Sequence, residues 1–150
     1  MGTSYNVEIV PCKGDRRQDR EMGNIIAIFV GGGIGASCRH GLFVLVQRLC
    51  GPVFPFGTLS VNLAGSFFIG LLWGIFEHSN IGEEWRLFIF TGMLGGFTTF
   101  STFARETFQL MKVGEWRDAI IYLAASNILG ILLVLAGYLA AQKVLAHFPR

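Results

Sequence analysis

The residues best placed to do chemistry lie in the middle of an apolar stretch. Phe90-Thr91-Gly92-Met93-Leu94-Gly95-Gly96-Phe97-Thr98-Thr99-Phe100-Ser101-Thr102-Phe103 crowds glycines and hydroxyls where a membrane helix would be uniformly greasy. A helix broken there exposes backbone groups that lipid cannot satisfy, so the break must be buried in protein or line an aqueous cavity. Ions bind at such breaks. Gly92-x-x-x-Gly96 also fits the spacing of a helix-packing face, which is the other use of these glycines. Phe100 and Phe103 are three residues apart and share a helix face. The edge of an aromatic ring is positive, so it offers a small dehydrated anion a weak donor.

Two further stretches supply stronger donors. Thr58 and Asn62 are four apart, as are Tyr122 and Ser126, with Asn127 alongside. Hydrogen-bond donors on helix faces are what an anion needs once its water is gone. An amide such as that of Asn62 equally serves as glue between helices. Arg39, near the middle of the first apolar run, costs about 2.5–3.5 kcal/mol at a helix centre. It must face a water-filled vestibule, pair with Glu106 or snorkel. No carboxylate lies deep in the first, second or fourth run, and Glu106 lies late in the third. Proton-coupled exporters rely on such carboxylates.

The elements that carry these residues follow from composition. The chain of 150 residues is 52% hydrophobic and only 15% charged, against about 25% charged in soluble domains. Apolar runs at 24–50, 56–76, 85–111 and 119–146 each meet the roughly 20 residues needed to cross a bilayer. The expected fold is therefore all-α, an integral membrane protein of four transmembrane helices with a broken third helix. It has a polar N-terminal tail at 1–23 and one channel domain at 24–150. Short linkers leave no room for a soluble domain. A net charge of +2 and the absence of a basic-aromatic stripe argue against a nucleic-acid partner. Cys12, Cys38 and Cys50 match no zinc or redox spacing and read as small buried hydrophobes. His40, His78 and His147 form no metal motif, so neither a metalloenzyme nor any other enzyme is indicated.

Four spans place both termini on one side. Arg86, Lys143 and Arg150 then fall on the terminal side and Arg48, Lys112 and Arg117 on the other, three against three. Lys13, Arg16, Arg17 and Arg20 of the tail add to the terminal side. The core is thus nearly neutral in orientation, which permits antiparallel pairing of identical chains.

Three stretches resemble the Fluc fluoride channels, also called CrcB proteins. They are Gly31-Gly32-Gly33-Ile34-Gly35-Ala36-Ser37-Cys38-Arg39-His40, Pro55-Phe56-Gly57-Thr58-Leu59-Ser60-Val61-Asn62-Leu63-Ala64-Gly65-Ser66, and Gly95 through Glu106. The resemblance implies an antiparallel, dual-topology homodimer in the cell (inner or plasma) membrane, with fluoride as the conducted ion and fluoride resistance as the role. It implies that Asn62, Phe100, Phe103, Thr58, Ser101, Thr102, Tyr122 and Ser126 line the pore, with Arg39 as the vestibule charge. It also implies a structural sodium ion at the dimer interface, held by backbone carbonyls of Gly95 and Thr98. Two positions depart from the pattern. His40 stands where an aromatic usually follows the arginine, and Gly130 where the fourth helix often carries a hydroxyl. A small dual-topology exporter of the multidrug-resistance type is the competing transport class. It would want a carboxylate where Cys38-Arg39 stand. A non-transporting membrane subunit would not need the donor faces.

Overall fold

The computed structural model describes residues 15–51, 54–77, 79 and 81–147. Residues 1–14 of the expected tail, with Cys12 and Lys13, lie outside them, as do Pro52, Val53, His78 and Arg150. Among the described residues, four helices are long and apolar enough to cross a membrane.

Helix α1 (Asp15–Cys50) has 36 residues, about 54 Å at 1.5 Å per residue. That exceeds the roughly 30 Å hydrocarbon, so the helix projects beyond it. It includes Asp15 to Gly23, the end of the segment read from sequence as a polar tail. Helix α2 (Phe56–Phe76) has 21 residues and matches the bilayer. The third span runs from α3 (Glu83–Arg86) through a π-helical stretch, Leu87–Leu94, into α4 (Gly95–Phe97). Thr98 and Thr99 are extended, and α5 (Phe100–Lys112) follows. Helix α6 (Trp116–Ala146) completes the bundle. Trp85 and Trp116 are exposed near opposite ends of the bundle, where indole rings anchor at membrane interfaces.

The bundle is built from two intimate helix pairs. One joins α1 to the third span. A methyl on Gly92 would sit 2.9 Å from the Ile28 carbonyl oxygen, and one on Gly96 would sit 2.6 Å from that of Gly32. Gly31 and Gly35 meet the backbone of Phe88 and Met93 from the other side. The Gly92-x-x-x-Gly96 spacing therefore serves backbone-to-backbone packing. The other pair joins α2 to α6, where Gly70 faces the Val134 carbonyl and Gly137 that of Phe67. Close approach lets dispersion contacts and weak polar contacts form where no hydrophobic effect drives helices together.

Little of the chain is hidden from its surroundings. Val61, Leu94, Phe103, Ala119, Tyr122 and Ala141 form the buried apolar set, while Phe29, Ile34, Leu45, Ile131 and many other large apolar residues are exposed. Lipid as solvent accounts for this. Cys38 and Cys50 correct the sequence expectation, for both are exposed rather than buried. Thiols are apolar enough to sit on such a surface.

Gly137→Ala should weaken the bundle by about 1–3 kcal/mol, because the added carbon meets the Phe67 backbone and overpacks a tight crossing. Gly33→Ala, with nothing within 4 Å, should be neutral or slightly stabilising. Denaturation midpoints in detergent micelles decide the matter, and equal midpoints for the two variants would refute the packing role.

Candidate functional site

The site is organised by the two extended residues that interrupt the third span. Asn62, two turns into α2, reaches across and grips Thr99 twice. Its Nδ2 donates to the Thr99 carbonyl at 3.2 Å, and its Oδ1 accepts from the Thr99 N–H at 2.8 Å. In a continuous helix the Thr99 N–H would close onto the Gly95 carbonyl. It is diverted to Asn62, which removes that carbonyl's helical donor. The Thr102 N–H would likewise close onto Thr98, but it donates to the Thr99 side chain, the cap of α5. The Thr99 hydroxyl also donates to Thr102 Oγ1 at 2.8 Å.

Gly95 and Thr98 face a cavity of about 350 Å³, shared with Asn62, Ser66, Thr99 and Phe100. Gly95 is exposed and has an ordinary helical φ of −63°. Its lack of a side chain therefore serves space on an open face, not a special backbone angle. Among the described residues no cluster of three His, Cys, Asp or Glu is placed to hold a metal. Any cation here would rest on backbone and hydroxyl oxygens, which suit a hard ion.

The predicted aromatic pair lies in contact, with ring centroids 5.7 Å apart, but its members see different surroundings. Phe103 is buried against Tyr122, at 5.1 Å between centroids. Phe100 is 78% exposed on the outer face of the chain. Ser101 is exposed beside it. Thr102 lines a second cavity of about 240 Å³ with Arg39, His40, Phe43 and Thr58.

Sequence reasoning undervalued Glu106. Thr58 Oγ1 donates to Glu106 Oε1 at 2.9 Å, and the Tyr122 hydroxyl donates to Oε2, also at 2.9 Å. Thr58 and Tyr122, taken as donors for an ion, thus meet on a carboxylate that joins α2, α5 and α6. Both are fully buried. Glu106 takes these bonds from hydroxyls rather than from Arg39, which borders the other cavity. The signal was present: a carboxylate in a membrane helix requires donors, and two hydroxyl faces were at hand. Ser126 behaves differently from Tyr122, since its Oγ is buried with no partner and remains free to donate. One turn further along α6, Gly130 lies close to Ser66 Oγ, so a hydroxyl from α2 occupies the place where α6 lacks one.

The comparisons with known proteins bear on this arrangement. The family model described as CrcB-like protein, Camphor Resistance (CrcB) matches residues 26–138. A protein of Desulfotalea psychrophila named fluoride-specific ion channel FluC is 46% identical over 127 residues, covering 85% of this chain and 98% of that protein. One of Parabacteroides distasonis with the same name is 44% identical over 124 residues, covering 83% and 97%. A third, from Methylobacterium nodulans, is 44% identical over 128 residues.

The Glu106 node makes a testable statement about energy. Tyr122→Phe should destabilise the protein by about 1–3 kcal/mol, because it leaves a half-buried carboxylate oxygen without its donor. In a Glu106→Gln background the same change should cost clearly less, since the carboxamide has one acceptor oxygen in place of two. A double-mutant cycle read by unfolding in detergent measures the coupling, and strict additivity would contradict the node.

Proposed function

The chain belongs to the CrcB family, and from that membership we infer that it is a fluoride-specific ion channel of the cell membrane, spanning it several times. The observation that carries this reading is the identity of 44–46% along nearly the whole length of proteins named for that activity. It is a channel, not an enzyme. Hydrogen fluoride, a weak acid, enters cells uncharged and dissociates inside, and a passive path for the anion lets it leave. The outcome is resistance to fluoride.

The chain's own residues suit the task. A small anion holds its water tightly and gives it up only to replacement donors. The free Ser126 hydroxyl, the second hydrogen of the Asn62 amide and the edges of Phe100 and Phe103 are such donors along the helices that surround the gap. Thr58, Ser101, Thr102 and Tyr122 complete the proposed path, with Thr58 and Tyr122 acting through the carboxylate they share.

The working unit in this reading is an antiparallel, dual-topology homodimer whose third helices are broken where they meet. Three features support it. The cavity of about 350 Å³ lies open on one face of a single chain and includes the exposed Phe100. Polar groups at Gly95, Thr98 and Ser101 would otherwise face lipid. The basic residues flanking the core spans are balanced between the two sides. A structural sodium ion at the two-fold axis would be held by the carbonyls of Gly95 and Thr98, whose helical donors are engaged elsewhere. One chain offers two such oxygens and a second copy doubles the set. The proton-coupled exporter is disfavoured because the one deep carboxylate, Glu106, is fastened by two hydroxyls.

Protein reconstituted in liposomes should release fluoride down its gradient, with charge flow balanced by a potassium ionophore and without a proton gradient, while chloride stays inside. Efflux that requires proton coupling, or equal chloride flux, would overturn the channel reading. Asn62→Asp replaces the amide donor with a negative charge that opposes both the Thr99 carbonyl and the anion. Fluoride efflux should fall by roughly 100-fold or more, on the scale of a lost preorganised donor, and near-normal flux from correctly assembled protein would remove Asn62 from the path. For the sodium ion, prolonged exchange into a large organic cation should weaken the dimer or slow efflux. No change in either would leave the carbonyls with a packing role only.

A further inference from the structure

A third cavity, of about 120 Å³, lies where α2 finishes and the third span begins. Trp73, Phe76, Phe90, Glu77 and Arg86 wall it. Phe90 meets Trp73 at 5.9 Å between ring centroids and 74°, and Phe76 at 6.5 Å and 84°. Rings set nearly square to a common neighbour make a box, and the negative ring faces of such a box attract a cation. Glu77 stands in the same wall. The Tyr138 hydroxyl donates to its Oε2 at 2.8 Å, which leaves Oε1 for a second donor. Trp73 and Glu77 also border an apolar groove of about 820 Å³ between α2 and α6. Ile69, Ile131 and Leu135 line that groove, and it runs over the close crossing of Gly70 with Val134.

We propose that the cavity and the groove together bind one phospholipid with an ethanolamine headgroup. Its ammonium sits in the aromatic box against Glu77, its phosphate meets Arg86, and an acyl chain lies in the groove. Three observations carry this. The first is charge. A carboxylate and a guanidinium wall the same small cavity, which matches a zwitterion and leaves Glu77 idle or repelling if the headgroup is only anionic. The second is depth. Glu77 follows the last residue of α2, and Arg86 precedes the apolar run of the third span, so both stand at the level of lipid headgroups. Trp73 and Tyr138 are the residue types that settle at that level. The third is direction. Ile69 lies one turn inward from Trp73, and Leu135 and Ile131 lie one and two turns inward from Tyr138. The groove therefore leads from the headgroup level towards the midplane, as an acyl chain does. Any lipid tail could lie along the groove, so selectivity comes from the box and its two charges. The site depends on the membrane setting alone and not on which ion the protein passes.

The test is native mass spectrometry of the full chain in detergent, titrated with dioleoyl phosphatidylethanolamine or dioleoyl phosphatidylglycerol. The first ethanolamine lipid should bind wild type roughly tenfold more tightly than the first glycerol lipid, on the scale of one charge-assisted hydrogen bond. Glu77→Gln keeps an acceptor for Tyr138, so the helices stay joined, but it should bring the ethanolamine lipid down to the level of the glycerol lipid. Trp73→Leu opens the box while keeping the groove apolar, and should erase the same preference if Glu77→Gln fails to fold. Arg86→Gln should weaken both lipids, and Arg86→Lys should restore them. Equal affinity of wild type for the two lipids would overturn the proposal, as would an undiminished preference in Glu77→Gln or Trp73→Leu. A variant that changes the oligomeric state while leaving lipid preference intact would also overturn it, since that assigns the groove to a second copy of the chain.

Discussion

The double hydrogen bond between the Asn62 side chain and the backbone of Thr99 is the constraint on which the site depends. A helix interrupted inside a membrane leaves amide and carbonyl groups that neither lipid nor the helix can pair, each costing several kcal/mol. Asn62 satisfies both polar groups of one residue at once. It also ties α2 to the third span at the level of the gap. By taking the Thr99 N–H it determines which carbonyl loses its helical partner. One amide side chain thus stabilises the interruption and gives it its polarity.

Glu106 has the corresponding role at a neighbouring level of the bundle. Its carboxylate collects the Thr58 and Tyr122 hydroxyls from two other helices, and Tyr122 in turn packs against Phe103 and Phe54. The polar centre is therefore dense and cross-braced, while Phe100, Gly95 and Ser101 remain on an open face. That asymmetry divides the pair of phenylalanines. One belongs to the packed interior of the chain and the other to whatever meets its surface.

Glycine packing explains how a chain of this length encloses such a centre. Gly92 and Gly96 against α1, and Gly70 and Gly137 between α2 and α6, bring backbones into contact. Close crossings keep the helices in register at low cost in side-chain entropy. They also leave most of the large apolar side chains pointing outward into lipid. The helix pairs hold the frame, and the polar contacts near Thr99 and Glu106 fill what lies between.

Much of this was legible in the sequence. Apolar runs of about 20 residues or more gave the four spans, because a helix of that length crosses the bilayer with its backbone hydrogen bonds satisfied internally. The glycines and hydroxyls from Gly92 to Thr102, with Asn62 and the Tyr122/Ser126 pair, marked the polar centre because lipid punishes such residues unless they are used. Spacing along one helix could not say who partners whom across helices. Nothing in Thr58 or Tyr122 announced that both would donate to Glu106, since the three lie in separate spans whose relative depth is a tertiary matter. Nor could a three-residue interval tell that Phe103 turns inward and Phe100 outward, because burial depends on the neighbouring helices and not on the helix that bears them. The sequence by itself determined which residues had to find polar partners. The packing of α2, α5 and α6 decided which partners they found, because a hydrogen bond exists only where two helices bring donor and acceptor within about 3 Å of each other.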